Sequence, residues 1–176
     1  MQIAWGNRVS LPFVVEVHDL CLHWAIDPSW LMACMAFETG ETFSPSVHNG
    51  AGSGAVGLIQ FMPGTAAALG TTTEHLAQMT AKDQLDFVAM YFAPWAGKMH
   101  SLGDVYAAIL WPAMMGKPDG WIVFNKADPN HPKRYLQNAG LDFNKDGVIT
   151  KAEVVARVEA TLQKGLLPGN VLDYQA

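Results

Sequence analysis

Glu38 follows Met35-Ala36-Phe37 at the end of the most apolar helical stretch of the chain, and Thr39-Gly40 comes directly after it. A carboxyl group so placed can keep its proton near neutral pH, because an apolar setting and the negative end of a helix both disfavour the charged form. The chemistry open to it is general acid catalysis, the delivery of a proton to a leaving oxygen that cleavage of a glycosidic bond requires. A solvent-facing glutamate at a helix end is the alternative. Hydrolysis of the two-carboxylate kind needs a partner, and between Glu38 and Asp83 the chain offers only Glu41 and Glu74. Glu41 is expected to face solvent beside the loop that follows.

That loop, residues 44–57, holds four glycines among serine, asparagine and alanine. It runs into Gly57-Leu58-Ile59-Gln60-Phe61-Met62-Pro63, where glycines let the backbone approach a ligand closely and Gln60 brings an amide. Read alone, the segment could be a tight turn that binds nothing. The elements that must position these groups are helices. Asp27-Pro28 is an N-cap followed by proline at the first helical position. The helix it opens carries Trp30, Leu31, Cys34, Met35 and Phe37, too apolar all round for a surface helix, and Gly40 can end it in a left-handed turn. Ser10 opens a helix through about Trp24. A short helix spans Met62 to Leu69, Thr80 caps one carrying Leu85, Val88 and Phe92, and Ser101 opens one through Leu110 that Pro112 stops. Residues 116–132 read as a long surface loop with an extended piece at 121–124. A last helix begins near Thr150 and buries Val154, Val155, Val158 and Leu162.

The order Glu38-Thr39-Gly40, then Gly54-Ala55-Val56-Gly57-Leu58-Ile59-Gln60-Phe61-Met62-Pro63-Gly64-Thr65-Ala66, resembles the catalytic core of the soluble lytic transglycosylase (SLT, lysozyme-like) family. The resemblance covers roughly residues 25–115. It implies a mainly α, lysozyme-like domain that cleaves the bond between MurNAc and GlcNAc in peptidoglycan glycan strands. Glu38 would act first as acid and then as base, giving a 1,6-anhydro end. Thr39, Ser53, Gly57, Leu58, Ile59 and Gln60 would contact substrate, and Tyr106 would orient Glu38. A muramidase using Glu41 or a held water is the nearest competitor, and a non-catalytic calcium-binding virion module is the rival from another class. Three departures stand out. Thr39 replaces the family serine, Ala107 replaces an asparagine after the tyrosine, and the loop after Glu38 is longer. The residue that holds the N-acetyl group stays open among Ser46, Asn49 and Ser53.

A second motif lies near the C-terminus. Residues 142–153 match the twelve-position EF-hand loop, with oxygen donors at Asp142, Asn144 and Asp146, then the Val148 carbonyl, Thr150 and a bidentate Glu153. Gly147 supplies the sharp turn and Ile149 an apolar plug. One structural calcium ion is expected there, clamping the last helix with no direct part in bond cleavage. The preceding helix is short, about Lys133 to Asn138, and no second such loop exists.

At 176 residues, half of them hydrophobic and only 15% charged, the chain suits one domain, residues 1–176, with one core. A net charge of −5 gives no basic stripe for nucleic acid, so recognition of a polymer must come from a shaped groove. Cys21 and Cys34 are expected as buried free thiols. The N-terminal residues lack a basic region followed by a long apolar one, and no stretch approaches a membrane span. A monomer made in the cytoplasm is expected, acting on the wall after release, as bacteriophage endolysins and virion lysins do. Trp111 and Trp121 are the tryptophans expected to stack on sugars; Trp24, Trp30 and Trp95 are expected in the core.

Overall fold

The computed structural model describes residues 1–50 and 52–175. Eight α-helices are present among them: α1 (Leu11–Trp24), α2 (Pro28–Glu38), α3 (Pro63–Ala68), α4 (Thr73–Gln78), α5 (Ala81–Phe92), α6 (Leu102–Leu110), α7 (Pro132–Asn138) and α8 (Lys151–Gly165). Two short antiparallel ribbons join distant parts of the chain. β1 (Gln2–Ile3) pairs with β4 (Leu172–Asp173), and β2 (Ile122–Asn125) pairs with β3 (Val148–Thr150). No helix among the described residues is long and apolar enough to cross a membrane.

The architecture is built around α2. Asp27 caps it through Ser29 N–H at 2.8 Å, with Pro28 in the first turn. Leu31 to Ala36 are all completely buried. Four elements cover the helix: α1, α6, α8 and β1. The apolar character all round α2 therefore has a direct cause, since each face meets a neighbour. Gly40, with φ +58, turns the chain out of the helix.

The strongest of these packings is with α8, which lies beyond the expected catalytic core of residues 25–115. Glycine makes part of it possible. Gly165, in the last turn of α8, leaves room for the fully buried Trp5, whose ring would overlap any side chain there. The Trp5 indole N–H donates to the Thr161 carbonyl at 3.0 Å. Val154, Val158 and Leu162 of α8 are buried, but Val155 is only half-buried. A buried ion pair ties α8 to α6: Lys151 Nζ lies 3.5 Å from Asp104 Oδ1 and donates to the Lys117 carbonyl at 2.9 Å.

Several local expectations meet their elements with small differences. Ser10 precedes α1 without making a side-chain cap bond. The extended piece at 121–124 is a true strand, held by β3 across more than twenty residues of chain. Both cysteines are buried and free. Trp24 is in the core, whereas Trp30 and Trp95 are half-buried against it. Helix α4, capped by Thr72 through His75 N–H, had no counterpart in the sequence reading.

Candidate active site

Glu38, at the C-terminal end of α2, reaches a cleft made of two adjoining hollows of about 620 Å³ and 380 Å³. The larger is walled by Asn49, Ser53, Ile59, Gln60 and Met62 from the loop side, by Ile109, Leu110 and Trp111 at the end of α6, and by Arg134, Gln137 and Asn138 of α7. The smaller runs on past Phe37, Tyr106, Leu141 and Arg157. Among the described lining residues Glu38 is the only carboxylate. Burial pushes its carboxyl up to about 7, while a hydrogen bond from Tyr106 works in the opposite direction. The Tyr106 phenol, itself 3% exposed, is raised well above its ordinary value by burial and then by the charge of Glu38.

Glu41 goes elsewhere. Its backbone is left-handed at φ +68, and its carboxylate accepts from Lys164 Nζ at 2.6 and 2.7 Å. It lines a separate hollow with Gly40 and Lys164, on the far side of Phe37 and Arg157. Glu41 therefore faces away from the Glu38 carboxyl, although only three residues separate them.

The glutamine segment is a tight four-residue turn. Val56 and Phe61 exchange both backbone hydrogen bonds, at 3.1 and 2.8 Å, and Gly57-Leu58-Ile59-Gln60 makes the turn between them. Gln60 adopts φ +53, an uncommon state for a residue with a side chain. Its amide nitrogen donates to the Val47 and Gly57 carbonyls at 3.2 and 3.1 Å. Its amide oxygen accepts no hydrogen bond from the described residues, which leaves it for a donor in the cleft.

Sequence reasoning missed the residue that holds this turn. Gln84 of α5 is completely buried. Its side-chain oxygen accepts from Leu58 N–H at 2.7 Å, and its nitrogen donates to the Leu76 and Pro45 carbonyls at 2.9 and 3.1 Å. Gly57, at φ +80, is required because any Cβ there would overlap the Gln84 amide. A signal existed: Gln84 stands one turn before Val88 on the apolar stripe of α5, where a polar side chain must find internal partners.

The expected substrate contacts accordingly divide. Ser53, Ile59 and Gln60 line the cleft, as does Asn49. Ser46 bonds Ser44 and lies outside the cleft lining. Thr39 is 2% exposed; its hydroxyl donates to the Met35 carbonyl at 2.7 Å and accepts from Phe43 N–H at 3.0 Å, so it builds the turn after α2. Leu58 is fully buried, and Gly57 acts through the room it leaves for Gln84. These three shape the cleft from behind its surface. Of the two tryptophans, Trp111 lines the cleft with the Arg134 guanidinium 4.7 Å from its ring centre, while Trp121 stands outside the lining.

The 142–153 loop meets α7 through Tyr135. Asp142 is 6% exposed, and its Oδ2 accepts from the Tyr135 hydroxyl at 2.6 Å and from Gly147 N–H at 2.9 Å. Its Oδ1 is buried with no hydrogen-bond partner among the described residues. Glu153 Oε2 accepts from the Thr150 hydroxyl and backbone N–H, both at 2.8 Å, in the capping box of α8, while Oε1 is likewise buried with no hydrogen-bond partner among the described residues. Asn144 Oδ1 accepts from Asp146 N–H and Asp146 Oδ1 from Val148 N–H. Ile149 is completely buried, opposite Phe124 in the β2–β3 ribbon. Among the described residues no three Asp, Glu, His or Cys side chains are drawn together as a ready metal cluster.

The arrangement around Glu38 suits proton transfer to a bond laid along the cleft. Residues 21–87 match the family model of the transglycosylase SLT domain. The match supports a lytic-transglycosylase, lysozyme-like reading and, in general terms, an enzyme acting on peptidoglycan. It takes in α2, Glu38, the glutamine turn, α3, α4 and the start of α5; Tyr106, α7, the 142–153 loop and α8 fall outside it. No curated protein matches the chain.

Proposed function

We propose that this protein cleaves the β-1,4 bond between MurNAc and GlcNAc in peptidoglycan as a lytic transglycosylase, with Glu38 serving as acid and then as base. The observation that carries the reading is that Glu38 is the one carboxylate among the described residues of the cleft. In the first half-reaction the Glu38 proton passes to the glycosidic oxygen as the bond from C1 breaks. In the second, the Glu38 carboxylate takes the proton of the C6 hydroxyl of the same MurNAc, and O6 closes on C1. The glutamic acid is restored and no water is consumed. A carboxyl titrating at about 7 is balanced for both halves. Tyr106 would hold the carboxylate between them, and the Gln60 amide oxygen would accept from a sugar hydroxyl or N–H. Asn49 and Ser53 stand where an N-acetyl group could be held.

The test is digestion of purified peptidoglycan followed by mass spectrometry of the released fragments. Fragments ending in 1,6-anhydroMurNAc, absent from a Glu38→Gln digest, are the expected result. Reducing ends would instead make the protein a hydrolase at the same bond. No release by the wild-type protein would favour a non-catalytic module.

A further inference from the structure

We propose that the Asp142–Glu153 loop binds one calcium ion and that the ion, through Asp142 and Tyr135, fixes α7 as a wall of the Glu38 cleft. Two buried carboxylate oxygens, Asp142 Oδ1 and Glu153 Oε1, have no hydrogen-bond partner within bonding distance among the described residues, and Asp142 is among the few charged residues more than nine-tenths buried. They belong to the first and last of the twelve loop positions. A buried anionic acceptor without a partner is costly unless something positive meets it, and the oxygen-only donor set selects a hard cation. Asp146, the Asn144 amide oxygen, the Val148 carbonyl and the Thr150 hydroxyl complete the set. Calcium tolerates six to eight oxygens in flexible geometry, whereas magnesium demands a strict octahedron. Bidentate use of Glu153 requires the Thr150 hydroxyl to give up its bond to Oε2.

The link to the cleft runs through one short helix. Tyr135 of α7 is 9% exposed and donates to Asp142 Oδ2 at 2.6 Å. Its neighbours Arg134, Gln137 and Asn138 line the cleft with Glu38. Arg157 of α8 adds a second tie. It donates to the Gly140 carbonyl at 2.8 Å, lies over the ring of Phe143 within the loop, and lines the cleft as well. Without a cation, the carboxylates of Asp142, Asp146 and Glu153 crowd one short loop, and their mutual repulsion loosens the Asp142–Tyr135 anchor of α7. With calcium bound, that repulsion is neutralised and the wall is set. The expected clamp on α8 thus extends to the groove. Only the catalytic consequence rests on the proposed glycan cleavage; ion binding and ordering of α7 do not.

The experiment uses the full chain, freed of metal with chelator and titrated with calcium chloride in a calorimeter, with hydrogen exchange followed peptide by peptide. One site is expected, together with a higher melting temperature, at least about ten-fold slower exchange over residues 132–147 and a weaker response to magnesium chloride. Asp142→Ala should abolish binding. Asp146→Ala, at an exposed position, should weaken it strongly and covers the case in which the first variant does not fold. Tyr135→Phe should bind calcium yet lose the slowing within α7. Absence of binding up to about 1 mM calcium, the weak end of the range for such loops, would overturn the site. Binding with unchanged exchange in α7 would overturn the coupling. Binding and ordering in a protein that releases no glycan fragments would uphold this inference and count against the proposed function alone.

Discussion

The Tyr106 ring meets Phe37 edge-on with centroids 5.5 Å apart, and its buried hydroxyl bears on the Glu38 carboxyl, whose proton affinity it lowers. The two contacts fix the tyrosine at both ends, so loss of the hydroxyl leaves the ring seated. Tyr106→Phe should therefore keep its stability and lower turnover by roughly ten- to a hundred-fold, the equivalent of about 1.5–3 kcal/mol for a hydrogen bond to a charged group. The donor favours the carboxylate, so Glu38 should titrate higher in the variant and the alkaline limb of its pH–rate profile should move up. A profile identical to that of the wild type would remove Tyr106 from the site.

Glu38→Gln should reduce glycan release by more than about 10² and should stabilise the protein at alkaline pH. The sign follows from the direction of the shift. The folded protein holds the Glu38 proton more tightly than the unfolded chain, so wild-type stability falls as pH rises from 4.5 to about 7. That interval corresponds to about 3 kcal/mol. Chemical denaturation should find the variant close to wild type at pH 4 and more stable at pH 8. Equal stability at both would mean that the carboxyl is not buried against its charge.

Gln84→Ala leaves Leu58 N–H and two carbonyls without their partner, and should cost about 3 kcal/mol or more. Activity should fall further than stability alone explains, since the glutamine turn loses its anchor. Gly57→Ala should resemble it, because the new Cβ meets the Gln84 amide at a left-handed backbone position. Denaturant midpoints and residual activity of the folded fraction check both.

Arg134 and Arg157 bring two guanidinium groups to the cleft, and neither makes an ion pair among the described residues. In an acidic chain this concentrates positive charge where a carboxylate-bearing glycopeptide would lie. Arg134→Ala should raise KM several-fold with little change in kcat, the mark of lost ground-state binding. Glycan strands stripped of their peptides should show a smaller difference; an equal effect on both would assign Arg134 to packing on Trp111.

Much of the site was legible because its signals are local. Asp27-Pro28 and Gly40 mark the two ends of α2, its apolar composition marks it as buried, and Glu38 falls at its last position by counting. The caps at Thr80 and Ser101 were equally plain. What escaped reading depends on partners far away in the chain. Six-residue helices such as α4 are too short to show a period. Pairing of β1 with β4, the Lys151–Asp104 ion pair and the packing of α8 on α2 are non-local contacts that no window of sequence contains. Thr39 and Leu58 were drawn toward the substrate by their place in a motif, where the fold uses them as internal supports.

Enclosure of α2 on all sides also divides the molecule by its freedom to change. The proposed general acid, Glu38, stands on the element least able to shift, since every residue from Leu31 to Ala36 is locked among neighbours. The walls facing it come from the 44–62 loop, the end of α6 and the surface-lying α7. Substitutions and insertions there can reshape the cleft without displacing the Glu38 carboxyl. Diversification of specificity is thereby directed to the connecting segments, while the helix beneath them tolerates little drift.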